Sequence, residues 1–226
     1  TPGANYTNTD YTITDETDML DRWRTFLLGR EKFRDAYDLA PIIDTRERRR
    51  IVGDFVISPL DVFLGRTYPD TIGMSMSNFD THGFTVHPLF TLRPPHKESL
   101  TAFTPYRSLL PRGLEGILVI GLGISAHRDA MPILRMQPDI QNQGYAAGLA
   151  AAMAAREGKG LREIDIKDLQ KRLVEKGCLP PQVLTHQDSL PLKPEEIRQA
   201  VENIADGYRS VAIALAHPRE SLPLLK

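Results

Sequence analysis

Three features of this 226-residue chain predict an α/β fold. Short apolar segments at 51–57, 71–79 and 117–120 read as strands. Two longer segments, 139–156 and 165–176, carry helical spacing and helix-end residues. Between the last strand and its helix runs a glycine-bearing turn, Gly121-Leu122-Gly123-Ile124-Ser125-Ala126. Backbone there is stripped of side chains, which lets another group come close.

The elements follow in chain order. Residues 1–14 are polar and turn-rich. Residues 15–40 read as helix, with Leu20, Trp23, Leu27, Phe33 and Tyr37 at helical spacings, Gly29 as a break and Pro41 as the stop. Residues 51–57 read as a strand, and 59–63 as one helical turn. A second strand at 71–79 places Ile72, Met74 and Met76 on one face; a third is expected at 86–92. Pro94-Pro95-His96 is a turn, and 102–110 is extended or irregular between prolines. The apolar run 117–120 suits a strand buried on both faces.

For the helix at 139–156, Asp139 behind Pro138 is the expected cap. Two internal glycines cost it about 2 kcal/mol relative to alanine. Gly144, Gly148 and Ala152 share one face, and Ala147, Ala151 and Ala155 another. Such faces admit a neighbouring backbone or a flat ring, so a ligand and a tight helix–sheet contact both remain open. The helix at 165–176 has Asp165 as cap, Ile166, Leu169 and Leu173 inward, and Gly177 just past its end. Pro180-Pro181 breaks the chain before a last helix pair at 194–204 and 208–215.

Composition bounds the function. Apolar residues make up 41% and charged residues 25%, and the net charge is −1, so nothing draws the whole chain to nucleic acid or anionic membrane. No apolar run approaches the roughly 20 residues of a spanning helix. A soluble protein is expected, with the cytoplasm favoured. The one cysteine, Cys178, excludes an internal disulfide and reads as a small apolar residue. The basic cluster from Arg46 to Arg50 lacks interleaved aromatics and reads as a solvated, salt-bridged stretch. His87, His96, His186 and His217 have no metal-ligand spacing, so no metal is expected.

The turn carries the first chemical signal. Gly121-x-Gly123-x-x-Ala126 after a strand matches a dinucleotide fingerprint on paper. As a complete site it fails, because Pro132 and Pro138 interrupt the helix that should open at once, and no second parallel strand with an acidic end follows. A second signal is Asn78-Phe79-Asp80-Thr81-His82. A histidine two residues from an aspartate at a strand end suits a general acid or base, with a solvated surface turn as the other reading. Arg107 beside Tyr106 suits a carboxylate or sugar-hydroxyl clamp, or else a structural ion pair.

Taken together, the segments resemble the C-terminal flavin-contacting part of FAD-dependent oxidoreductases. These belong to the glutathione-reductase-like superfamily, alongside the succinate dehydrogenase and fumarate reductase flavoproteins. The likeness rests on Gly121, Ile124, Ser125, Ala126, Ala130, Arg135, Pro138, Gly144, Ala146, Ala147 and Gly148. It extends to Arg49-Arg50-Ile51-Val52-Gly53-Asp54, Tyr68-Pro69-Asp70-Thr71-Ile72-Gly73 and Pro105-Tyr106-Arg107-Ser108-Leu109-Leu110-Pro111, and covers roughly residues 45 to 180. The chain departs from the family at Leu122, where arginine is common, and at Arg128, one position from His127, where a histidine is common. It departs again at Asp139, whose carboxylate would sit near the anionic flavin edge.

The resemblance implies the C-terminal part of a two-dinucleotide-binding-type flavoprotein fold, a mixed sheet with packed helices. Gly121, Gly123, Ile124 and Ser125 would lie along the FAD ribityl and pyrophosphate. Asp139, Ile140 and Gln141, with Gly144 behind them, would face the pyrimidine end of the isoalloxazine. His82, with Asp80 and Arg107, would serve a small-molecule substrate. Four parts are expected. Residues 1–45 form a loop and helix of the substrate domain, and 46–112 a β-rich substrate-side domain. Residues 113–180 form the flavin-facing segment, and 181–226 a linker and HEAT-like helical extension. The G-x-G-x-x-G site for the ADP half is missing upstream of Arg49, so the chain reads as a fragment whose N-terminal FAD-binding half lies elsewhere. FAD is then the cofactor of the intact protein, held weakly or not at all by this piece. A flavin-free binding or scaffold module with the same fold is the alternative.

Overall fold

The computed structural model describes residues 18–32, 34, 49–80, 85–92 and 99–225. The chain divides into two units, one made of Thr1–Arg48 with Thr81–Phe84 and the other of Arg49–Asp80 with Thr85–Lys226.

In the first unit the described part is helix α1, Met19–Lys32. It runs through Gly29 without a break. Leu20, Trp23 and Leu27 share the expected face, and all three are exposed. Phe33 and Tyr37 lie outside the described residues, as does the stop at Pro41.

The second unit is built around helix α2 (Pro59–Leu64), strand β1 (Thr71–Ser77), helix α3 (Pro88–Leu92), strand β2 (Leu100–Pro105) and helices α4 (Met131–Leu134) to α8. Helix α5 spans Gln137–Glu157, α6 Ile166–Glu175, α7 Pro194–Glu202 and α8 Tyr208–Ala216. One continuous core runs from Ile57 and Ile72 through Leu109, Ile133 and Leu134 to Leu169, Leu173 and Ala212.

The expected mixed sheet is, among the described residues, a two-stranded antiparallel ribbon of β1 and β2, with an irregularity between Thr71 and Gly73. Residues 51–57 form no strand. Their amides bond to three separate places: Ile51 N–H to the Gly123 carbonyl, Asp54 to Leu110, and Ile57 to Ser125, each at 3.0 Å. Only the isolated pairs Gly53–Pro111 and Ile57–Ala126 are ladder-like. The run 117–120 is not a strand buried on both faces either. Val119 N–H reaches the Leu109 carbonyl at 2.9 Å, while Ile117 and Ile120 are exposed. An apolar run satisfied by single cross-chain bonds is indistinguishable from a strand by pattern.

The third expected strand, 86–92, contains helix α3 instead. Pro88 opens it with a pre-set φ, and adjacent Leu89 and Phe90 are both buried, as a helix face allows and an alternating strand does not. Residues 102–110 split between the end of β2 and a tight 3₁₀ turn, Tyr106–Ser108. The short turn expected at 59–63 is α2, closed by a reciprocal cap in which Ser58 Oγ accepts from Asp61 N–H and Asp61 Oδ2 accepts from Ser58 N–H. Helix α6 has Asp165 as its cap and Gly177 at φ 75° beyond its end, as expected.

The C-terminal helices pack onto this core. α8 lies against α2 and α7, with Phe63 and Tyr208 edge to face at 5.3 Å, and the Tyr208 hydroxyl bonds the Leu89 carbonyl. His217 fastens the preceding loop, its Nε2 accepting from Leu192 N–H at 2.9 Å.

Candidate functional site

The glycine turn folds as a 3₁₀ turn over Gly121–Gly123, with Gly121 at φ 66°. That left-handed value is readily held only by glycine. A Cβ at Gly123 would come within 2.9 Å of Val119 Cγ1. From Gly123 to Ser125 the backbone is pinned by distant segments. Gly123 and Ser125 carbonyls accept from Ile51 and Ile57, and Ser125 N–H donates to the Ser108 carbonyl. Ser125 is fully buried, and its Oγ accepts from Gly53 N–H at 2.9 Å. A Cβ on residue 53 would stand 2.7 Å from Ser125 Cβ, so glycine at 53 is what lets the turn sit there. Ile124 is fully buried in the core.

Helix α5 begins beside this turn. Asp139 is not its cap. Met136 holds that position without a side-chain bond, Pro138 is the second helical residue, and Asp139 lies in the first turn. Its carboxyl bonds Ser75 of β1, and burial raises its pKa against the lowering effect of that bond. The other carboxyl oxygen, Oδ2, is buried without a hydrogen-bond partner. Ile140 packs beneath Gly121, its Cγ2 3.4 Å from where a Cβ would be. Gln141 is exposed, and Gly144 lies near Ile120.

Gln143, which sequence reasoning passed over, ties turn and helix together. It is 1% exposed, and its Oε1 accepts from Gly121 N–H at 3.2 Å. That bond fixes the amide orientation, leaving Nε2 as a buried donor without a partner. Thr104 Oγ1 of β2 is likewise buried and unpartnered. A Cβ on Gly73 would lie 3.3 Å from Thr104 Cβ and 3.8 Å from Gln143 Cγ, so the two side chains flank one glycine of β1. The signal was available, since Asp139 and Gln143 stand four apart on one helix face.

The small residues of α5 divide. Ala146, Ala147 and Ala150 face the core, whereas Gly148, Ala151, Ala152 and Ala155 are exposed, and no chain atom lies within 4 Å of a Cβ placed on Gly148. The tight helix–sheet contact is therefore made by the face of Ala146, Ala147 and Ala150, and among the described residues nothing packs on Gly148.

Among the substrate-side candidates, Asp80 is gripped by the nine-tenths-buried Arg135, whose Nη2 donates to the Asp80 carbonyl at 2.5 Å and to Oδ2 at 3.1 Å. His82 lies outside the described residues. Arg107 already has carboxylates: its backbone N–H donates to Asp70 Oδ2 at 3.1 Å and its Nη2 reaches Asp188 Oδ2 at 3.5 Å. Arg66 binds Asp188 with two parallel bonds of 2.8 and 2.9 Å and Asp61 with a third. Both guanidiniums stack on Phe55, Arg107 at 4.7 Å. Burial pushes the Asp188 carboxyl up, but the Arg66 hydrogen bonds, the Leu190 N–H and the charges of Arg66 and Arg107 together outweigh it and hold the pKa below the usual range. Asp80 and Arg107 thus stand in separate ion-pair systems, and neither bonds the turn at Gly121.

No described helix is long and apolar enough to cross a membrane. Among the described residues no group of three or more histidine, cysteine or acidic side chains is placed to hold a metal ion. Neither the curated proteins nor the solved structures compared with this chain gave a match. A family model described as FAD dependent oxidoreductase matches residues 8–173, well over half of the chain, and the chain belongs to that family.

Proposed function

We propose that this member of the family supplies the isoalloxazine-facing turn and helix of an FAD-dependent oxidoreductase, with part of the pocket for a small-molecule substrate. In this reading the enzyme is of the glutathione-reductase-like kind, and its ADP-binding half comes from sequence outside these 226 residues. The observation that carries it is Gln143. A buried amide with a spare donor, between a glycine turn and the first turn of a long helix, suits a ligand rich in carbonyl oxygens and ring nitrogens.

Bound FAD supplies a reversible two-electron acceptor. The residues here bind and orient it. Gly121, Gly123, Ile124 and Ser125 offer close backbone along the ribityl and pyrophosphate. Gly144 and the first turn at Asp139, Ile140 and Gln141 would face the pyrimidine end, where the positive end of the helix dipole favours negative charge. The raised pKa of Asp139 eases the conflict between its carboxylate and that charge. Arg135 holds Asp80, and His82 is the candidate acid or base.

One observation favours the flavin-free scaffold reading: Gly121 N–H is already taken by Gln143. Titration of the intact protein with FAD, followed by visible absorbance and fluorescence quenching, separates the two. Stoichiometric uptake is expected for the intact protein and weak uptake for these 226 residues alone. An intact protein that stays colourless and takes up no FAD overturns the proposal.

A further inference from the structure

Two histidines stand together beside the turn with no part in the flavin contacts. His127 follows Ser125 by two residues, and His87 directly precedes α3. Their rings meet edge to face with centroids 5.5 Å apart. Asp129, 2% exposed, joins the two segments, its Oδ2 accepting from Val86 N–H and His87 N–H at 2.7 Å each.

The tautomers follow from the backbone. His127 Nδ1 accepts from Asp129 N–H at 3.1 Å, and His87 Nδ1 accepts from Leu89 N–H at 3.2 Å. A ring nitrogen that accepts an N–H carries no proton, so each neutral ring is protonated at Nε2. A second proton would have to enter at Nδ1 and expel a backbone N–H. The surroundings also resist it. Burial lowers the pKa of His87, and His127 lowers it further against the pull of Asp129. Burial lowers His127 too, with Arg50 and Arg128 adding to it and Asp129 opposing. No hydrogen bond to either Nε2 is formed among the described residues.

We propose that His87 and His127 form a pair of neutral Nε2–H donors that binds the carboxylate of a small-molecule substrate. A ring in this tautomer donates at Nε2 and has no free lone pair to act as a base, so its chemistry is recognition and polarisation of oxygen. With centroids 5.5 Å apart, the two Nε2 atoms lie no more than roughly 8 Å apart, and where the two N–H groups converge one carboxylate accepts from both at about 2.9 Å. The local charge agrees. Arg50 and Arg128 lie close enough to act on His127, and Asp129, the carboxylate that acts on both rings, is already met by two backbone N–H groups. Arg107, the guanidinium that sequence suggested for this task, is engaged by Asp70 and Asp188. The inference deepens the flavoprotein reading and rests on it for the identity of the carboxylate as substrate; the imidazole geometry is independent of flavin.

The test uses the 226-residue protein labelled with ¹⁵N-histidine, at pH 7 without FAD, with acetate as probe. Both rings should show the neutral Nε2–H pattern, and acetate should shift both Nε2 resonances saturably while His186 and His217 stay still. His127→Phe should weaken acetate binding by about tenfold or more, and His127→Gln, which keeps a side-chain N–H, should recover part of the loss. His87→Phe, read in the same way, stands in if His127→Phe does not fold. A cationic or Nδ1–H pattern in either ring overturns the proposal, as does an acetate response that never saturates or is shared equally by His186 and His217. FAD uptake is measured separately, so loss of the flavin reading leaves the acetate result standing, and the reverse.

Discussion

Helices α5 and α6 both pack against β1, and each buries a glutamine there, yet the two are finished differently. In α6, Gln170 donates through Nε2 to the Pro69 and Thr71 carbonyls at 3.1 and 2.9 Å and accepts from Lys167 Nζ at 2.8 Å. Lys167 itself also meets the Pro69 and Leu184 carbonyls. The helix is capped by Asp165. In α5 the cap has no side-chain bond, Gln143 uses its oxygen and leaves its donor bare, and Asp139 keeps one carboxyl oxygen unmet. A buried polar group without a partner costs about 1–3 kcal/mol, so a fold that closes one glutamine completely and leaves its counterpart open marks the second as a place with capacity to spare. α6 is closed by its own partners, and α5 keeps polar atoms unmet.

Substitutions can break this contrast. The largest effect is expected from Gly53→Val, which drives atoms into Ser125 Cβ and the Leu110 carbonyl; unfolding in urea should show a loss of about 3 kcal/mol, with FAD uptake lost as well. Gln170→Leu takes the 2.9 Å donor from the Thr71 carbonyl and one of the oxygens that Lys167 Nζ meets, and should cost about 2 kcal/mol, while any FAD bound by the folded fraction keeps its affinity. The mirror experiment is Gln143→Leu. Here about 1 kcal/mol of stability is expected to go, because only Gly121 N–H loses its partner, but FAD affinity should fall about tenfold. Equal losses of affinity in the two glutamine variants would erase the distinction.

A pH series sharpens the same point. The folded-state pKa of Asp139 is raised, so its contribution is most favourable below the unfolded value of about 4 and is lost as pH rises through the folded value. Asp139→Asn should therefore gain stability relative to the parent between pH 4 and pH 7, read from urea midpoints, and should bind FAD more tightly. A constant difference across that range would mean the carboxyl is not destabilised by burial. The smallest change is Gly148→Ala, at an exposed position of α5, which should raise stability by about 0.5 kcal/mol through helix propensity. If the same substitution lowers FAD affinity, that face is in use.

Legibility from sequence follows how local each interaction is. α6 was readable because its cap and its terminal glycine are neighbours of the helix itself. α5 was readable for the same reason at Pro138, though Asp139 was misplaced by three positions because a carboxylate in a first turn serves as cap or as side-chain partner with the same local pattern. The segments 51–57 and 117–120 were read as strands because apolar runs do not reveal whether their amides meet one neighbour or several. α3 was missed because the amides ahead of it are held by Asp129, more than 40 residues away. The turn at Gly121 was visible in its glycines. The group that completes it, Gln143, stood two residues past Gln141 within the matched helix. The histidine pair was out of reach, since neither spacing nor pattern joins His87 to His127.

The Gly53–Ser125 contact has a further thermodynamic consequence. The bonds that give the turn its shape join residues some 70 positions apart, such as Gly53 with Ser125 and Ile51 with Gly123. No local stretch of chain can therefore present this surface. Anything that recognises the turn recognises only the fully assembled molecule. Its binding free energy is then coupled in full to global folding, and the melting temperature becomes a direct reading of ligand occupancy.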